Sequence, residues 1–201
     1  MTAYVELMVA GTTNFALLTV ASCELRRYRI APTLWSSGPI IVLLMWTLAE
    51  ASAAGRYVAM PFSYAALMGS IGVSVVTDRA AGYILDVVTL PTCAFALIAE
   101  ASAARSAESI TGVAAVSGTM LFLHAVTRGS GLGLGDVKLA AAAGALFGAE
   151  AGLISLAVSF VLGGIVAAFL IVRGTASPKT EVPFAPYIAA GALSVLTFVK
   201  A

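Results

Sequence analysis

The chain reads as an all-α integral membrane protein, a polytopic helical bundle of about eight transmembrane segments. Three observations predict this. Of its 201 residues, 60% are hydrophobic and only 10% are charged, where a soluble domain carries about 25% charged residues. The mean hydropathy is +1.00, more apolar surface than one soluble interior can absorb. Finally, apolar stretches follow one another with short interruptions, each close to the length that crosses a hydrocarbon core at about 1.5 Å per residue.

In chain order these stretches cover 3–23, 34–54, 58–77, 83–104, 111–127, 137–149, 152–172 and 184–199. The first has no basic flank before it and no small-residue cleavage site after it, so it reads as a retained span and not a removed signal. Asn14 and Glu6 within it would bond to neighbouring helices or face the outer boundary. The sixth stretch is short and ends in the tight link Gly148-Ala149-Glu150-Ala151-Gly152. A segment of that length can enter a membrane without crossing, which makes seven the alternative count. The segment from Arg173 to Pro183 is the most hydrophilic linker. No stretch is long and polar enough for a separate soluble domain, so 1–201 is one membrane-embedded unit.

The basic residues test this layout independently. If the segments alternate, Arg26, Arg27, Arg29, Arg79, Arg128, Lys138, Arg173 and Lys179 fall on one side, and Arg56, Arg105 and Lys200 on the other. Positive charge gathers on the cytoplasmic side of membrane proteins, so the first side is cytoplasmic and both termini face outward. The agreement favours eight spans over seven. A net charge of +1 provides no basic field for a phosphate backbone, which excludes nucleic acid as the partner. Cys23 and Cys93 lie far apart in apolar stretches, with no C-x-x-C pair. They read as small packing residues and not as a disulfide or zinc site.

Two carboxylates stand out at the cytoplasmic mouths of apolar segments. Asp78 begins Asp78-Arg79-Ala80-Ala81-Gly82-Tyr83-Ile84-Leu85-Asp86, and Asp136 lies in Gly131-Leu132-Gly133-Leu134-Gly135-Asp136-Val137-Lys138-Leu139. Two carboxylates within a few ångströms do not both ionise easily. One keeps its proton, and the pair can then activate water as a base while donating a proton as an acid. This chemistry needs no metal and no cofactor. Gly133 and Gly135, with Gly131 before them, permit irregular backbone and close approach of a substrate strand. The small residues that follow, with Gly144 and Gly148 four apart, allow a neighbouring helix to pack closely and Asp136 to be brought to Asp78.

Gly133-Leu134-Gly135-Asp136-Val137-Lys138-Leu139 resembles the G-x-G-D-x-K-L signature of type IV prepilin peptidases, the membrane aspartic proteases of pilus and type II secretion assembly. Asp78, with Ile84, Asp86, Thr89 and Pro91, is similar to that family's D-x5-I-P-D-x-x-T-x-P motif, and Pro183-Phe184-Ala185-Pro186 to its P-F-x-P segment. The three motifs lie in the family's order within 77–191. The resemblance implies a catalytic pair of Asp78 and Asp136, with Gly133, Gly135, Asp86 and Lys138 binding substrate or supporting the site. It also implies cleavage of the basic leader of a prepilin or pseudopilin, just before its hydrophobic N-terminal helix, at the cytoplasmic face of a prokaryotic cytoplasmic membrane. Two departures bear on this. Leu85 replaces the proline of I-P-D. The N-terminal C-x-x-C domain of larger members is missing, Arg26-Arg27-Tyr28-Arg29 standing in its loop, so N-methylation of the product is not expected.

Each residue also has a plainer reading. Asp136 and Asp86 precede apolar helices and would serve as N-caps, and Asp78 would pair with Arg79. Lys138 points about 200° away from Asp136 around a helix and need not touch it; an anchor at the cytoplasmic boundary is the favoured role. His124, the only histidine, reads as a hydrogen-bonding residue between helices. The glycines at 130–135 are no phosphate cradle, because G-K-[ST] is missing. Two rival functions remain. A presenilin-like G-x-G-D protease would need a Tyr-Asp pair where Thr77 precedes Asp78. A small proton-coupled transporter would place carboxylates deep in the bilayer and show an inverted repeat.

Overall fold

The computed structural model describes residues 61–129, 131–177, 180 and 182–198. The apolar stretches 3–23 and 34–54 lie outside the described residues, as do Glu6, Asn14, Cys23, Arg26, Arg27, Arg29, Arg56, Lys179 and Lys200. Among the described residues all regular structure is helical: α1 (Pro61–Ala81), α2 (Asp86–Ser102), α3 (Ser106–Val126), α4 (Leu134–Val172) and α5 (Ala185–Phe198). Each expected apolar stretch from the third onward falls on a helix. The protein is all-α in this region.

The boundaries follow local chemistry. Asp86 opens α2, its charge facing the positive end of the helix dipole. Gly174, in left-handed geometry, follows the end of α4. By length and composition α3 and α4 are each able to cross a membrane. Large apolar side chains such as Phe122, Ile165, Phe169 and Val172 point outward, as they do where lipid replaces water.

The sixth and seventh stretches are joined within α4, which reverses at Gly148. That residue adopts φ 75° and ψ −175°, a conformation essentially reserved for glycine. The reversal is measurable: a Cβ on Gly152 would lie 3.4 Å from the Cα of Gly144, whereas residues eight apart on a straight helix are separated by roughly 12 Å. The inner limb, 134–147, is almost wholly buried, with Leu139, Ala142, Ala145 and Leu146 at its centre. The outer limb, 149–172, keeps an exposed apolar face.

Helix α3 packs against this hairpin backbone to backbone. A Cβ on Gly112 would collide with the carbonyl oxygen of Gly144, and one on Gly144 with the carbonyl of Gly112. This is the close approach expected at Gly144 and Gly148, and in lipid such approach supplies much of helix association. Ser109 Oγ donates to the Ala145 carbonyl at 2.7 Å. Helix α5 lies on the outer limb, with Gly191 against the Ser155 carbonyl and Phe184 stacked near Phe160 at 5.0 Å between centroids.

The bundle therefore has two distinct ends. One gathers the C-termini of α1 and α3, the N-termini of α2, α4 and α5, and with them Arg79, Arg128, Lys138 and Arg173. At the other end Arg105 Nε lies 3.4 Å from the buried carboxylate of Glu100 and 2.9 Å from that of Glu108. The described basic residues thus divide between the ends as the charge bias requires.

Candidate active site

Asp78 sits near the end of α1, half-buried. Its Oδ2 accepts the backbone N–H of Ala185 at 3.0 Å. Ala185 is the first residue of α5, where an N–H has no partner within its own helix. Pro183 and Pro186 flank it, so the Pro-Phe-Ala-Pro segment delivers a free amide to Asp78.

Asp136 lies in the first turn of α4 and is 8% exposed. Its Oδ2 accepts the backbone N–H of Gly133 at 3.3 Å, reaching back across the helix start. Asp136 is therefore not the N-cap expected from sequence, which is Gly133, but bonds that residue from the third helical position; Asp86 likewise follows its N-cap, Leu85. Among the described residues the other Asp136 oxygen, Oδ1, is buried with no hydrogen-bond partner, a state it shares with Ser70 Oγ, Ser74 Oγ and Glu100 Oε1.

Both aspartates line one cleft of about 330 Å³. They are near enough for the charge of Asp78 to act on Asp136. Gly133, Gly135, Asp86 and Lys138 line the same cleft, with Gly82, Tyr83, Ile84 and Leu134 completing it. All six site residues expected from sequence are therefore brought together.

Two of them have partners that sequence reasoning missed. Lys138 Nζ lies 2.7 Å from each carboxylate oxygen of Asp86, joining α4 to α2. Asp86 is thus paired with a lysine from another helix, and Lys138 is held by its carboxylate. Gly135 allows α4 to meet the loop before α2, since a Cβ there would lie 2.8 Å from Ile84 Cβ.

Leu85, in place of the family proline, has φ −76°, a value that proline itself would impose. Packing does the work of the ring: Leu85 is buried with Val73 and Val88. Buried Thr89 donates to the Leu85 carbonyl at 3.3 Å and closes this turn from within α2. His124 braces a loop and bridges no helices. Its Nδ1 lies 2.6 Å from the Leu132 carbonyl, which can only accept, so Nδ1 carries the proton.

The Ala185 amide could not have been identified from residue types, because every residue except proline carries one. Glu100 could have been noticed as a lone carboxylate within an apolar helix. Among the described residues no His, Cys, Asp and Glu side chains group as a metal-binding set.

A family model described as the type IV leader peptidase family matches residues 65–168. That span is more than half of the chain and includes Asp78, Asp86, Gly133, Gly135, Asp136 and Lys138. No curated protein and no solved structure matches the chain significantly.

Proposed function

The chain belongs to the type IV leader peptidase family, and from this we propose that it is a membrane aspartic endopeptidase that removes the basic leader of type IV prepilins or prepilin-like proteins. The observation that carries the reading is the meeting of Asp78 and Asp136, from different helices, in one cleft at one end of the bundle. That end also holds Arg79, Arg128, Lys138 and Arg173, which supports a site facing the cytoplasm across a prokaryotic cytoplasmic membrane.

In this mechanism the dyad holds one proton. We assign the charge to Asp78, the less buried of the two, since burial disfavours the ionised form and the Ala185 amide on its Oδ2 favours it. Asp136, with its unpartnered Oδ1, holds the proton and donates it toward the scissile carbonyl or the leaving amine. Water bound between them loses its proton to Asp78 as it attacks. The peptide C–N bond breaks, and the amine leaves as the new N-terminus of the pilin. The apolar helix of the substrate stays in the bilayer beside the bundle.

We propose eight spans, beyond the two candidate spans, α3 and α4, found among the described residues. The tip of the α4 hairpin reaches Glu108 near the start of α3, where a Cβ on Gly148 would lie 3.9 Å from the Glu108 carbonyl oxygen. This supports counting both limbs as crossings. The placement of both aspartates at one end of the bundle also supports proteolysis over proton transport, which calls for carboxylates midway through the membrane.

The test is cleavage in membranes. The chain is co-expressed with a prepilin whose basic leader ends in glycine, and the product is read by mass. A truncated, unmethylated pilin made by the native chain, and not by Asp78→Asn or Asp136→Asn, is the expected result. Full turnover by either variant would refute the dyad. An intact prepilin beside correctly inserted native protein would refute the substrate, and aspartate-dependent proton flux in liposomes would then favour transport.

A further inference from the structure

The Asp86–Lys138 pair closes a ring around the cleft. From Asp78 the chain leaves α1, passes the loop 82–85 and enters α2 at Asp86. From Asp136 it continues directly to Lys138. Two contacts join these arms: Gly135 against Ile84, and Lys138 Nζ on both oxygens of Asp86 at 2.7 Å. The cleft is lined by Asp78, 82–84 and Asp86 from the first arm and by 133–136 and Lys138 from the second. The separation of the two aspartates therefore depends on how firmly the arms are joined.

We propose that Asp86 and Lys138 form a positioning strap, setting the gap across which Asp78 and Asp136 share water and substrate. The assignment rests on the peptidase reading of the site. Neither residue acts on the reacting atoms. Lys138 is engaged by the two oxygens of Asp86 and not by Asp136, whose Oδ2 is held by Gly133 instead. The side chains are 35% and 54% exposed, and a pair so wetted contributes little to global stability. Its effect is local: it fixes a glycine-flanked loop next to the chemistry, where a small misplacement of catalytic groups is costly in rate.

The strap predicts a dependence on the pair and not on either residue. In the full-length protein in lipid nanodiscs, acting on the prepilin of the first test, Lys138→Met and Asp86→Asn should each lower kcat about 10-fold and leave KM within about threefold. Lys138→Arg and Asp86→Glu, which keep the ion pair, should stay within about threefold of native kcat. The exchanged pair Asp86→Lys with Lys138→Asp should recover most of the loss, short of full because a lysine then faces the positive start of α2. Hydrogen exchange gives a reading that needs no substrate: amides of 82–88 should exchange several-fold faster in Lys138→Met and return toward native in the exchanged pair.

Native kcat in Lys138→Met, an exchanged pair as slow as the single variants, or unchanged exchange at 82–88 would overturn the strap. If the native protein cleaves no prepilin, the peptidase reading fails, and the exchange comparison still decides whether the pair holds the loop.

Discussion

The Asp78 carboxylate takes its hydrogen bond from the Ala185 amide at 3.0 Å, on a helix 107 residues further along the chain. The last described helix is thereby tied to the first through a group in the candidate active site. Replacing Ala185 by proline keeps a residue acceptable at a helix start but removes the N–H. A hydrogen bond to a charged group is worth about 1.5–3 kcal/mol, so cleavage should fall roughly 10- to 150-fold. Phe184→Leu, which leaves the amide in place, should lose far less. Initial rates on the prepilin in membranes would check both.

Asp136 has a structural and a chemical oxygen, and two substitutions separate them. Asp136→Asn keeps an acceptor for the Gly133 N–H and should fold with near-native stability, yet lose about 10²–10⁴ in rate with the acid–base function. Asp136→Ala should lose the same activity and about 0.5–2 kcal/mol of stability in addition, the usual cost of a lost helix-start bond. Thermal unfolding in detergent, compared between the two variants, measures the difference.

Gly135→Ala places a methyl group 2.8 Å from Ile84 Cβ. Overpacking of this kind costs about 1–3 kcal/mol, and here it pushes the loop carrying Ile84 away from the turn that holds Asp136. Both melting temperature and cleavage should fall. Ile84→Ala combined with Gly135→Ala should recover little of either loss, because the clashing atom is the Ile84 Cβ, which alanine keeps.

Gly148→Ala should destabilise the protein by about 1–3 kcal/mol, because alanine is strained at φ 75° and ψ −175°. Gly118→Ala is the control: a Cβ there meets nothing within 4 Å, so the substitution should be neutral or slightly stabilising. Melting temperatures of the two variants decide this.

Much of the site was legible because its chemistry depends on side-chain identity. Asp78, Asp86, Asp136 and Lys138 are rare charges in an apolar chain, and glycines at alternate positions before Asp136 mark backbone that must approach something. What those residues touch was less legible. The helical-wheel argument about Lys138 considered only Asp136 and said nothing of a carboxylate arriving from α2. The donor to Asp78 is a main-chain amide, which leaves no mark in composition. Hydropathy located the two limbs of α4, and the tight link from Gly148 to Gly152 marked where they join, but not that one glycine, Gly148, would make the turn. Leu85 shows the converse: a departure from the family motif that keeps the backbone angle and replaces ring constraint by burial.

The reversal at Gly148 separates two duties that a single spanning helix would have to combine. The outer limb meets lipid, while the inner limb that begins with Asp136 is enclosed by protein along nearly its whole length. A change in bilayer thickness is accommodated by tilting of helices that contact lipid, and the inner limb has little surface on which that force can act. Asp136 is thereby insulated from the material state of the membrane. Cleavage rates in thin and thick phosphatidylcholine bilayers should accordingly agree within about twofold for the dyad's own step, and any larger change would be traced to how the substrate's helix arrives.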